Sequence, residues 1–101
     1  MNVVYIENGQ DLLIKLKGEL DHHSATECKK IIDEKLTSGK INNLTIDVKG
    51  LDFIDSSAIG FIIGRYKVLK KNEGNLDIIN TSHKLKKVLD MSGIGKIIKI
   101  K

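Results

Sequence analysis

Apolar and polar positions follow two rhythms along the chain. Leu12, Ile14 and Leu16 alternate with Leu13, Lys15 and Lys17, and Leu44, Ile46 and Val48 alternate again further on, the period of strands with one buried face. Residues 3–6 and 12–17 flank Asn8-Gly9, and Asn-Gly between two apolar runs predicts a β-hairpin because both residues tolerate positive φ. Over residues 24–38, Ala25, Cys28, Ile31, Ile32 and Leu36 recur at helical spacing while Lys29, Lys30, Asp33, Glu34 and Lys35 fall outside the stripe. Ser24 with Glu27 fits a capping box for that helix, and Gly39 fits its stop. A second helix carries Ile59, Ile62, Ile63, Tyr66 and Leu69 on one face and ends at Asn72-Glu73-Gly74. Residues 76–80 read as a strand. Ser82 caps a shorter helix with core face Leu85, Val88 and Leu89, and residues 97–100 supply a last strand or an extended tail. Strand, helix and strand in succession require a crossover and parallel neighbours. The expectation is an α/β fold: one domain over residues 1–101, a mixed β-sheet of four to five strands, and helices mainly on one face.

Composition narrows the class of protein. At 101 residues there is room for one core, and 41% hydrophobic with 30% charged residues is ordinary for a globular chain. No apolar run approaches the roughly 20 residues that span a bilayer, and the first residues lack the layout of a signal peptide, so the expected location is the cytoplasm. Cys28 is the single cysteine, which excludes an internal disulfide and a cysteine-rich zinc site. The formal charge of +4 comes from lysines spread over several elements, with four aromatic residues and one arginine, Arg65. Nucleic-acid binding wants exposed aromatics and arginines, so a solvated lysine surface is the simpler account.

Candidate chemistry concentrates between two elements, at Asp55-Ser56-Ser57. All three are good N-cap residues, and the first turn of the helix they open presents unpaired N–H groups and a positive dipole end. Plain capping and an anion-accepting or modified serine both fit this pattern. A serine hydrolase does not: the positions two residues either side of Ser56 are Ile54 and Ala58 where a nucleophile elbow needs glycines. A phosphate-binding loop fails too, since Gly60 to Gly64 is followed by Arg65-Tyr66 and lies within a helix. Gly60 and Gly64, one turn apart, are expected to admit another backbone at close range, from the sheet first and a partner second. His22 and His23 point apart on a helix and His83 is distant, so no metal is expected. Cys28 is expected in the core.

Phe53-Ile54-Asp55-Ser56-Ser57-Ala58-Ile59-Gly60, followed by Gly64-Arg65-Tyr66-Lys67, resembles the phosphorylation loop and following helix of the anti-sigma factor antagonists of the STAS domain superfamily. Gly18-Glu19-Leu20-Asp21-His22-His23 and Leu89-Asp90-Met91-Ser92-Gly93-Ile94 are similar to that family's second-strand end and last helix end, above all to members of the sporulation sigma-F system. The resemblance implies a regulator without enzymatic activity or cofactor. Its unmodified form binds an anti-sigma factor serine kinase and frees the sigma factor, and it is switched off by phosphorylation of Ser56 and restored by a serine phosphatase. It further implies that Asp21, Asp55 and Ser57 shape recognition, and that Ile59, Gly60, Phe61 and Gly64 belong to the docking surface, with Phe61 off the buried stripe and exposed. Ala58 stands where the family commonly has glycine, which firms the first helical turn. The alternatives are an antagonist for a general stress sigma factor and a nucleotide- or anion-binding STAS module.

Overall fold

A computed structural model describes residues 2–101. Strands β1 (Asn2–Asn8) and β2 (Asp11–Leu20) form the hairpin, followed by α1 (His22–Thr37), β3 (Asn43–Ile54), α2 (Ser56–Lys71), β4 (Asn75–Ile79), α3 (His83–Ser92), a 3-10 turn at Ile94–Lys96 and β5 (Lys99–Ile100). The sheet has five strands in the order β1-β2-β3-β4-β5; β1 is antiparallel to β2, and every later pairing is parallel. Parallel crossovers are right-handed, so strands laid down in sequential order place successive helices on the same face. One sheet face is accordingly covered. Leu12, Ile14 and Leu16 of β2, Leu44, Ile46 and Val48 of β3, and Leu76 and Ile78 of β4 are all buried in one core with Ile32, Ile62, Leu69, Leu85 and Leu89 from the helices. The other face keeps the alternation: Val4 and Lys15 are exposed, and Thr45, Asp47 and Asp77 are half-buried. Among the described residues, no helix is long and apolar enough to cross a membrane.

Several boundaries differ from those the pattern predicts. The hairpin turn centres on Gly9-Gln10, with Asn8 paired to Asp11 and Gly9 at φ +62°. Helix α1 begins two residues early, because Asp21 is its cap: Ser24 N–H donates to Asp21 Oδ1 at 3.0 Å, and Asp21 N–H donates back to Ser24 Oγ at 3.0 Å. The capping box is therefore Asp21 with Ser24, and Ser24 is itself buried. Ile31 and Val88, expected in the core, are each 39% exposed at the margins of their stripes. Strand β4 stops at Ile79, since Asn80 turns left-handed at φ +58°. Residues 97–100 divide: Lys99 and Ile100 form the short edge strand.

Strand β3 runs twelve residues, well past its pairing with β4. Against β2 its register slips twice, between Lys15 and Lys17 and between Gly18 and Glu19, each time adding one residue to β3. Gly50 lies at the first slip, where a Cβ would come within 2.9 Å of the Leu16 carbonyl oxygen. The effect is to bring the two strand ends level, with Leu20 opposite Ile54 and Asp55 N–H reaching the Leu20 carbonyl at 3.4 Å.

Candidate functional site

Because the strands end level, the helices that follow begin side by side. Asp21 caps α1, and Asp55 caps α2 by accepting the Ala58 N–H at 2.9 Å. Ser82 caps α3 in the same way, through Leu85 N–H at 3.1 Å. All three crossover helices thus start at the carboxyl edge of the parallel strands, the edge where open α/β sheets place ligands and partners. Ser56 is the first residue of α2 and is exposed; Ser57 is half-buried. The sequence offers three residues as the α2 cap, and the fold selects Asp55, which leaves both hydroxyls free of that task. Hydrogen bonds from the Ser24 backbone and hydroxyl hold the Asp21 carboxyl below its ordinary value of 3.8.

The predicted partner-binding residues divide into two groups. Asp21, Asp55, Ser56 and Ile59 gather at the carboxyl edge. Ser57, Gly60, Phe61 and Gly64 line a groove of about 330 Å3 between α1 and α2, whose other wall includes His22, Thr26 and Lys29. Phe61 is not exposed as expected; it is 8% accessible. Helix α2 packs against α1 as well as against β3 and β4, so its buried surface is wider than one stripe. Ala58, Phe61, Ile62, Arg65 and Leu69 are its buried residues, while Ile59, Ile63 and Tyr66 are only partly covered. The expectation that Gly60 and Gly64 admit the sheet also fails. A Cβ built on either meets nothing within 4 Å.

Arg65 is the residue that sequence reasoning passed over. It is 7% exposed, its Nε lies 3.0 Å from Asp33 Oδ1 of α1, and its guanidinium carbon sits 5.6 Å from the Phe61 ring centroid. Phe61 and Arg65 are four apart and share a face, so the arginine stem hides along the ring. A charged residue flanked by Gly64 and Tyr66 carries no periodicity signal; its being the chain's one arginine is the signal that could have found it. Cys28 is buried as expected, and Tyr5 lies against it; burial raises both ionisations, the thiol's and the phenol's. Phe53, 47% exposed, stands beside the carboxyl edge two residues before Asp55.

The chain matches the STAS domain family over residues 2–101. It belongs to that family, among the anti-sigma factor antagonists. It is 35% identical to the anti-sigma F factor antagonist of Paenibacillus polymyxa over 88% of this chain and 76% of that protein. It is 30% identical to the anti-sigma-B factor antagonist of Bacillus subtilis over 99% of this chain and 90% of that one. Among solved structures, the phosphorylated form of the Bacillus cell fate determinant SpoIIAA superposes with a TM-score of 0.82 at 27% identity, covering 99% of this chain and 91% of that chain. Unphosphorylated SpoIIAA superposes at 0.83 with 24% identity, covering 99% and 87%. The STAS fold read from the motifs is thereby established, as a mixed five-stranded sheet.

Proposed function

We propose that this STAS domain is a cytoplasmic, non-enzymatic switch. Unphosphorylated, it binds an anti-sigma factor that is also a serine kinase and releases the sigma factor; that kinase phosphorylates Ser56 and binding is lost until a serine phosphatase restores it. The observation that carries this reading is the position of Ser56: an exposed hydroxyl at the first residue of α2, next to the Asp55 cap and level with the Asp21 cap. A phosphoserine there brings about two negative charges to a helix N-terminus that tolerates them. The same charges stand beside two carboxylates in the middle of the docking surface. Loss of 10- to 100-fold in affinity needs only about 1.4 to 2.7 kcal/mol, within reach of a doubly charged group in an interface. Ser57 supports the first turn, and Asp21, Asp55, Ile59, Gly60 and Gly64 form the surface around it. Phe61 contributes as the wall of the groove.

The sigma-F system of sporulation is the assigned setting, on the 35% identity to an anti-sigma F factor antagonist. A general stress system is the second reading, favoured by the match to an anti-sigma-B factor antagonist over 99% of the chain. Incubation with the anti-sigma F kinase and ATP, followed by intact mass and fragment mapping, tests the assignment. One phosphate at Ser56, absent in Ser56→Ala, is the expected result. Phosphate from an anti-sigma-B kinase alone would move the protein to the stress system. No phosphate from either active kinase would reduce Ser56 to a surface residue and bring forward the use of the α2 N-terminus for a free phosphate compound.

A further inference from the structure

The groove between α1 and α2 carries chemistry that the Ser56 switch does not use. Its charged lining is wholly basic: Lys29 from α1 and Arg65 from α2, with His22 at the same wall and no acidic residue. Asp33, the arginine's ion-pair partner, lines a different cavity, at the other end of the helix pair. The pairing is also incomplete. Arg65 Nε and Asp33 Oδ1 are 3.0 Å apart without hydrogen-bond alignment, and Arg65 Nη1 is shielded from water with no acceptor at all. Buried guanidinium groups normally find acceptors for their donors; here Nη1 has none among the described residues, and Nε faces an Asp33 oxygen that is itself without a hydrogen-bond partner.

The floor of the groove has its own peculiarity. Glycine inside a helix is less stable than alanine, and it suits places where something packs closely against the backbone. Among the described residues, a Cβ added at Gly60 or Gly64 would meet nothing within 4 Å beyond the helix's own backbone. Both open into the groove beside Arg65, so the space they leave is directed outward.

We propose that this groove receives an acidic side chain of the anti-sigma factor, an aspartate or glutamate that slides over Gly60 and Gly64 and pairs with the Arg65 and Lys29 charges. The proposal rests on the function assigned above and adds a second anchor to it, its arginine about two and a half helical turns along α2 from Ser56 and opposite to it in sign. The carboxyl edge, with Asp21 and Asp55, presents negative charge to the partner, and the groove presents positive charge. Two adjacent patches of opposite sign fix the register of docking as well as attract.

Gly64→Glu and Gly64→Gln separate charge from bulk, because the two side chains have the same size and both raise helix propensity. Binding of each to the purified anti-sigma factor is measured at low and high salt, with thermal unfolding confirming the fold. Gly64→Glu should bind at least tenfold more weakly than Gly64→Gln at low salt, and the gap should shrink as salt screens it. The exposed Lys29→Gln should lose a few-fold with the same salt dependence. Equal losses for the two Gly64 variants, or none, would overturn the proposal while leaving the antagonist role intact. Failure of the unaltered chain to bind would instead remove that role, and the anchor with it.

Discussion

Asp21 and Asp55 hold equivalent places, each capping the helix that follows a parallel strand, yet their surroundings differ. Asp21 accepts from both the backbone and the hydroxyl of Ser24, whereas Asp55 accepts from the Ala58 backbone. The doubled acceptance favours the ionised form of Asp21 and lowers its pKa. A carboxyl more acidic folded than unfolded contributes stability that is complete above its unfolded value near 3.8 and is lost as pH falls through the folded value. Asp21→Asn keeps the capping acceptor and removes the charge. Its melting temperature should lie below that of the parent at pH 7, and the gap should close as the pH is taken well below the ordinary carboxylate value. A gap independent of pH would mean that the carboxylate charge contributes nothing there. Ala58 permits a second test at this scale. It is fully buried in the first turn of α2, so Ala58→Gly should cost about 1 to 2 kcal/mol in a urea titration through lost methyl burial and helix propensity.

Helix α2 shows how much an element's sequence reveals and where it stops. Its start, its length and two of its five buried residues follow from spacing, because Ile62 and Leu69 lie on any stripe drawn through the apolar residues. Phe61 and Arg65 escape because a stripe assumes one packing partner, and α2 has two, the sheet and α1. Likewise the α1 cap lies three residues before Ser24, because Ser24 satisfies the sequence rule for a cap while Asp21 satisfies it better, reciprocally. The level strand ends that place Asp21 beside Asp55 come from two register slips, whose only mark in the sequence is the change of apolar spacing from two to three at Val48, Leu51 and Ile54. Glycines are equally ambiguous by sequence, and the structure separates them. At Gly74, which follows α2, a Cβ would stand 2.1 Å from the Asn42 carbonyl oxygen, whereas at Gly60 it would meet nothing. Gly74→Ala should therefore lose about 3 kcal/mol through overpacking. Gly60→Ala should gain up to about 1 kcal/mol in the same denaturant series while weakening partner binding. If Gly60→Ala both stabilised the chain and left binding unchanged, the glycine would have no part in docking.

At the scale of the molecule, sequential strand order puts every helix on one face and every helix N-terminus at one edge, so Ser56, the proposed phosphorylation site, sits where the ends of β2 and β3 are packed into the core. Leu20, Leu51 and Ile54, which lead into that edge, are all buried, as is Ala58 directly after it. Such a site has little room to relay a change inward, and a phosphate on an exposed first-turn hydroxyl disturbs no core contact. Inactivation should then be local, by repulsion at the interface, without refolding. Phosphorylated at Ser56, the protein should show amide shift changes confined to the starts of α1 and α2 and to the adjoining end of β3, with unfolding free energy within about 1 kcal/mol of the unmodified form, the range of an end charge on a helix. Affinity for the anti-sigma factor should nevertheless fall by at least tenfold. Shift changes spreading into β4 and α3 would show instead that the phosphate acts through the core, and the groove between α1 and α2 would then have to close as the carboxyl edge is modified.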